Sequence, residues 1–338
     1  MTIALDIGTS RLRSLRRVGF ELVGRSVPAS FALVADDPVA RDLLMRAELP
    51  FATGDGELAL IGDAGLEHAR AFRSIPNRLL NEGQVPRDDP PARHLLETLV
   101  ESILPKPMQR GDLCSILMTP LSYHDRDSRA FLTRLVQARG YDPIVISPSL
   151  AIVHATLAEE DFSGIGFTLG AGGCSISLVH RGRELLWESV GRGTDWIDHQ
   201  IARSTETFTY DSSGRKFLDL ETVRRERELS GDSIAAPSGE FAHNVAAGYR
   251  DIIEEALQRF TARLLHERLT PYALESVVTC GGGGVRTPGF DVFLTNLISD
   301  MDFPVPLRPV RMAAIDDYLI ARGALIHAEV ESTMAAAA

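Results

Sequence analysis

Three stretches of the chain share one pattern, an apolar run that ends in a turn of small residues. Ile3-Ala-Leu-Asp-Ile-Gly-Thr-Ser10 opens the chain, Gly166-Phe-Thr-Leu-Gly-Ala-Gly-Gly-Cys-Ser-Ile-Ser-Leu-Val179 lies near its middle, and Ser276-Val-Val-Thr-Cys-Gly-Gly-Gly-Gly-Val285 lies near its end. The apolar alternation on both sides of the middle turn predicts a β-hairpin with glycines at its tip. Glycines at such tips let backbone N–H groups approach a charged group and form an anion-binding concavity. A single glycine-rich turn is usually only a turn; three in one chain point to a ligand.

The rest of the pattern supplies the frame. Strands are expected at residues 2–7, after Ser10 through Arg17, at Phe20–Val27, Ser30–Ala35, Glu57–Ile61, Asp112–Thr119, Pro143–Ile146, Glu184–Val190 and Leu274–Thr279. Helical spacing of apolar positions predicts helices at Gly65–Phe72, His94–Leu104, about Asp125 to Arg139, Ser149–Leu157, Leu220–Leu229, Phe241–Arg268, Asp291–Ser299 and Ala313–Glu329. A further helix begins near Gly193, with Thr194 or Asp195 as its N-cap. Pro76 to Pro91 and Phe208–Phe217 are polar excursions, Ser230–Gly239 is a linker, and the Ala-rich tail after Ser332 is expected to fray. A glycine loop, a hairpin and a connecting helix occur in both halves, which predicts two related lobes with a ligand cleft between them.

Composition narrows the class. A chain of 338 residues that is 44% hydrophobic and 24% charged is long enough for two lobes with cores of their own. Its net charge of −11 disfavours nonspecific DNA or anionic-membrane binding. The apolar runs are too short to span a membrane and no signal peptide is expected, so the partners are taken to exclude nucleic acid and direct membrane insertion. The three cysteines, Cys114, Cys174 and Cys280, suit a reducing cytoplasm better than a disulfide framework, and none has zinc-site spacing.

These motifs, in this order and over nearly the whole chain, resemble the actin-like ATPases: actin, the bacterial actin MreB and the heat-shock chaperone ATPase domains. The layout is most similar to MreB. The resemblance implies an α/β, two-lobed actin-like ATPase fold of duplicated ribonuclease H-like domains, with a nucleotide cleft between the lobes. Residues 1–150 would form lobe I, with a small subdomain inserted at about 19–80 and completed by the helix at 313–329. Residues 151–312 would form lobe II, with a reduced outer subdomain at about 205–240, and 330–338 a flexible tail.

The resemblance also implies ATP or ADP with Mg²⁺ in the cleft. Gly8, Thr9 and Ser10 look like the first phosphate loop, and Gly170, Ala171, Gly172, Gly173 and Cys174 like the second. Gly281, Gly282, Gly283 and Gly284 resemble the adenosine loop. Asp6 would hold Mg²⁺ through water, Arg13 would contact phosphate, Arg227 would stack on adenine and Glu226 would meet the ribose. Pro148–Ala155 and Tyr318–Leu325 are similar to the family's two connecting helices.

Two departures bear on hydrolysis. Thr168 stands where relatives carry an Asp that orders metal and water, and Ser147 where they carry Glu or Gln. A hydroxyl brings no negative charge and is a poor base near neutral pH, so any ATPase activity is expected to be slow or absent. Ser230–Gly239 replaces a larger subdomain that contributes to filament contacts in actins. The leading expectation is an MreB-like cytoskeletal protein that binds nucleotide and assembles with itself or with an unknown protein partner. The alternatives are a catalytically degenerate pseudo-ATPase that serves as a scaffold, and, third, a chaperone-type ATPase.

Overall fold

The computed structural model describes the chain apart from Asp55, Asn81, Glu82, Ser212 and Ala338. It begins with three antiparallel strands, β1 (Thr2–Ile7), β2 (Arg11–Val18) and β3 (Glu21–Pro28). A small separate unit follows: β4 (Ser30–Ala35), α1 (Pro38–Arg46), β5 (Phe51–Gly54), β6 (Glu57–Ile61), α2 (Asp63–His68) and β7 (Asn77–Arg78). The chain then returns through α3 (Pro90–Ile103), β8 (Leu113–Met118), α4 (Pro120–His124), α5 (Arg126–Ala138) and β9 (Asp142–Ile146). After α6 (Pro148–Thr156) the second half opens with β10 (Gly164–Leu169), β11 (Cys174–His180) and β12 (Arg183–Val190). It continues through α7 (Thr194–Ser204), the short hairpin β13 (Phe208–Tyr210) and β14 (Lys216–Leu218), α8 (Leu220–Leu229) and α9 (Gly239–His266). The last elements are α10 (Thr270–Ala273), β15 (Val278–Gly281), α11 (Phe290–Asp300), β16 (Arg311–Met312) and α12 (Leu319–Ala337).

The two halves repeat one topology. The first sheet has the order β3-β2-β1-β8-β9 and the second β12-β11-β10-β15-β16. In each, an antiparallel meander ends on a central strand (β1 or β10) that pairs on its other side with a parallel strand (β8 or β15). Parallel neighbours require a crossover, and α3 and α9 lie in the connections that supply it. The central strands are covered on both faces, so Ile3, Ala4, Leu5 and Ile7 are all buried, as is every residue of β10. β4 to β7 form a separate four-stranded sheet of order β5-β6-β4-β7.

Each half has its own core, one built on Leu5, Leu96, Ile116 and Leu132, the other on Phe167, Tyr249, Ile252 and Phe260. A third cluster lies where α6 and α12 cross: Leu117, Ala151, Val153, Ala321, Ala324 and Leu325. On α12 the buried residues Ala321, Ala324, Leu325 and Ala328 follow helical spacing. The helices touch backbone to backbone, for a Cβ on Gly323 would run into the carbonyl of Ala151. Gly166 on β10 makes the same kind of approach to the Ser149 carbonyl on the opposite side of α6.

Several expectations shift. α7 takes Gly193 as its N-cap with no side-chain cap bond, because the chain enters against the turn after β10 and Asp195 is engaged elsewhere. The strand expected from Leu274 begins only at Val278, after α10 and a turn. The last helix starts at Leu319 rather than Ala313, since Asp316 accepts the Tyr318 N–H (2.8 Å) in a turn just before it. That helix runs on through the Ala-rich segment to Ala337, consistent with the high helix propensity of alanine. α1 was not anticipated; Asp37 caps it by accepting the Val39 and Ala40 N–H groups, both at 2.8 Å. Part of the Phe208–Phe217 excursion is the β13–β14 hairpin.

Replacing Gly323 with Val is expected to cost about 3 kcal/mol, at the upper end for overpacking, because rigid backbone faces the new side chain. A urea unfolding midpoint unchanged by Gly323→Val would show that the crossing does not depend on this close contact.

Candidate functional site

The three glycine turns converge because the strands that lead to them are central or next to central in their sheets. β1 leads into Gly8–Ser10, β10 into Gly170–Gly173, and β15, the parallel neighbour of β10, into Gly282–Gly284. The turns are tight: the Gly8 N–H donates to the Arg11 carbonyl (3.2 Å) and the Gly170 N–H to the Gly173 carbonyl (2.8 Å). Gly282 adopts φ = 103°, a conformation that favours glycine. The first two turns touch, since a Cβ on Gly172 would strike the Thr9 hydroxyl and lie 3.3 Å from the Gly83 Cα. Between the three turns lies a cleft of about 430 Å³.

The structure brings together in this cleft Asp6, Gly8, Thr9, Ser10, Arg13, Thr168, the backbone of Gly170 to Gly173, Arg227 and Gly282 to Gly284. Four anticipated residues lie outside its lining. Cys174 is buried behind the second turn, and burial pushes its thiol pKa upward, so it packs as a small apolar residue. Gly281 ends β15 against the Ile152 side chain. Glu226 points to solvent on α8, while Glu228 lines the cleft. Ser147 is buried at the start of α6, where its Oγ accepts the Leu150 N–H (3.0 Å) and donates to Glu184.

Charged side chains around the cleft are tied into two networks. Asp6 and Arg13 are directly opposite in the β1–β2 ladder, and the Arg13 Nη1 donates to the Asp6 Oδ2 at 3.3 Å. Burial raises the Asp6 pKa and Arg13 only partly offsets this. On the other wall, Asp195 accepts a two-pronged contact from Arg78 (3.2 and 3.2 Å) and a third bond from Arg224 (3.2 Å). Burial alone would raise the Asp195 pKa; the two guanidiniums outweigh it and hold the carboxyl below its ordinary value. Arg78 comes from β7 in the first half and Asp195 from α7 in the second, so this contact joins the halves across the cleft mouth. Behind it, the fully buried Asp198 receives Arg227 at 2.6 and 3.0 Å. Arg227 therefore helps build the wall, and its guanidinium is already committed to a carboxylate.

Sequence reasoning did not single out Arg78, Asp195, Arg224, Glu228 or Arg286 as lining residues. It also passed over Glu184, whose Oε1 accepts Ser147 Oγ and Ser177 Oγ, the latter at 2.5 Å, with Ser149 Oγ 2.6 Å from Ser177 Oγ. The period-two spacing of Ser175 and Ser177 on β11 was the available hint, since it puts both hydroxyls on one face.

The expected magnesium site does not suit these donors. Mg²⁺ is usually held by one or two carboxylates together with phosphate and water. Asp6 is the carboxylate beside the first glycine turn, but a guanidinium occupies it. The Thr168 hydroxyl, in the second acidic position of relatives, is spent on Ser175 Oγ at 2.8 Å. Among the described residues no group of three or more His, Cys, Asp or Glu side chains is arranged to hold a metal ion.

A family model described as Volactin matches residues 1–328, and the chain belongs to that family. No curated protein matches the chain. Among solved structures it is similar to the MamK double helical filament, with 16% identity, 97% of this chain and 99% of that chain covered, and a TM-score of 0.68. It is also similar to MreB 5 of Spiroplasma citri bound to AMPPNP (12% identity, 100% and 98% covered, TM-score 0.64). A third similar structure is the ethanolamine utilization protein EutJ from Carboxydothermus hydrogenoformans (13% identity, 96% and 89% covered, TM-score 0.51). The chain thus has the two-lobed actin-like fold, and the cleft lies where the two repeated halves meet.

Burial raises the Glu184 pKa against the opposing bonds from Ser147 and Ser177, so its ionised form is disfavoured in the folded protein. The stability contributed by the protonated acid is present below the unfolded value of about 4.3 and is lost as pH rises through the folded pKa. Glu184→Gln is therefore expected to raise the melting temperature at pH 7, with the gain shrinking toward pH 4. An equal melting temperature for both proteins at pH 7 would contradict this.

Proposed function

We propose that this member of the Volactin family binds ATP or ADP in the cleft between its lobes and assembles with itself as a cytoskeletal protein. The observation that carries the reading is the meeting of three glycine turns, one after each of β1, β10 and β15, around a single cleft. Backbone N–H groups at such turns suit phosphate oxygens, and the joining of the two halves at the cleft suits a ligand that sets their relative position. The filament form of the MamK structure and the AMPPNP bound to MreB 5 support assembly and nucleotide binding by analogy of fold. In this reading residues 1–150 with the C-terminal helix form one lobe and residues 151–312 the other.

Slow or absent hydrolysis is part of the proposal. Thr168 and Ser147 hold hydroxyls that are already bonded, to Ser175 and Glu184, and neither supplies a carboxylate to order an attacking water. The same observation favours a second reading, a degenerate ATPase that keeps the nucleotide and works as a scaffold.

The two readings separate in one experiment: calorimetric titration with ATP, with phosphate release and light scattering followed on the same protein. Binding with rising scatter supports the filament former; binding without scatter or phosphate release supports the scaffold. Absence of binding removes both. Gly172→Val, which drives a side chain into Thr9, is expected to weaken nucleotide binding at least about tenfold, roughly 1.4 kcal/mol. Unchanged affinity in that variant would remove the second turn from the site.

A further inference from the structure

We propose that the cleft neutralises the phosphates of its nucleotide with arginine side chains in place of a divalent cation, so that binding does not require magnesium. The inference rests on the nucleotide reading above and specifies the chemistry of recognition. Six arginines line the cleft (Arg11, Arg13, Arg78, Arg224, Arg227 and Arg286) with three acids, Asp6, Asp195 and Glu228; Glu221, Asp198 and Asp317, outside the lining, pair with Arg224, Arg227 and Arg286, while Arg11 donates to Ser26 Oγ at 2.8 Å. The chain as a whole carries −11. Six guanidiniums around one cleft in an acidic protein are not a by-product of overall composition.

The arginines fall into two groups that face each other. Arg11, Arg13 and Arg286 gather beside the first and third turns. Arg286 pairs with Asp317 at 2.7 Å, and that carboxyl is held below its ordinary pKa first by the bond from Arg286, with Arg13 and Arg11 adding to the effect. Arg78 and Arg224 face them from the far wall, both on Asp195. Guanidinium forks match phosphate oxygens in geometry as well as charge, and they stay charged at any working pH.

Two buried donors point to the same ligand. The Arg13 Nε and the Thr9 Oγ1 are buried without a hydrogen-bond partner, and both belong to the β1–β2 hairpin that carries the first turn. Leaving such groups unpaired is costly unless a ligand completes them. On the metal side the balance runs the other way. A cation beside Asp6 would have to displace Arg13 or sit next to its positive charge, and neither Thr168 nor Ser147 offers a second carboxylate. Guanidiniums of the walls would then take the metal's place at the phosphates.

The test is calorimetric titration of the full chain with ADP at fixed ionic strength, once with magnesium and once with excess EDTA. The expected dissociation constants agree within about threefold, and both rise with added salt, as screening requires. Loss of more than about tenfold in affinity in EDTA would overturn the inference while leaving nucleotide binding intact. No binding in either buffer overturns the nucleotide reading and this inference with it. In Arg13→Gln, metal-free affinity should fall about tenfold or more and magnesium should restore part of it, because Asp6 is released. Metal-free affinity unchanged by Arg13→Gln would also overturn the assignment.

Discussion

Where α6 crosses α12, the Gly323 Cα lies against the Ala151 carbonyl, and much of the remaining geometry depends on that approach. Both helices sit between the two repeated sheets, and their small residues let β1 with β8 pack on one side and β10 on the other. A wider crossing would separate the strand ends, and with them the turns that follow β1 and β10. As built, those turns touch at Thr9 and Gly172. The cleft is therefore a consequence of backbone packing some distance beneath it.

Electrostatics adds a second tie nearer the surface. Arg78 and Asp195 come from different halves, and Asp195 also holds Arg224, which contacts Glu221 at 2.9 Å. Behind them the Asp198–Arg227 pair is buried and therefore must stay paired, because either partner alone would be an uncompensated charge. The network forms one wall of the cleft while fixing α7 to α8. Asp195 thus ties Arg78 of the first half and Arg224 of the second to one carboxylate. On the opposite side, the glycine turns offer backbone donors whose positions do not depend on any side-chain charge.

The hydroxyl cluster around Glu184 has a different character. Ser147, Ser149 and Ser177 turn their oxygens toward one another, and Ser147 and Ser177 donate to Glu184, at the junction between the first half and the β11–β12 ladder. Ser147 also caps α6, its Oγ accepting the Leu150 N–H. Its hydroxyl is fully used within the cluster, and Ser147 is not among the residues lining the cleft.

Much of the fold was legible in the sequence because its signals are local. Apolar runs marked β1, β10 and β11, helical spacing marked α9, and Gly170, Gly172 and Gly173 marked a turn, in which Gly172 and Gly173 are packed too closely for a Cβ. These features depend on neighbours in the chain, and they sufficed to place the three turns and to suggest a repeated, two-lobed architecture. Side-chain partners were not legible. Arg78 and Asp195 are 117 residues apart and Arg227 and Asp198 are 29 apart, so no local pattern connects them. The family resemblance implied that Arg227 stacks on adenine and that Glu226 meets the ribose. Only the packing of α7 on α8 commits the first to a buried carboxylate and turns the second outward. The chain by itself determined where glycine brings backbone to the cleft; the tertiary structure decided which charges line it, because a charge is defined by what folding brings within a few ångströms of it.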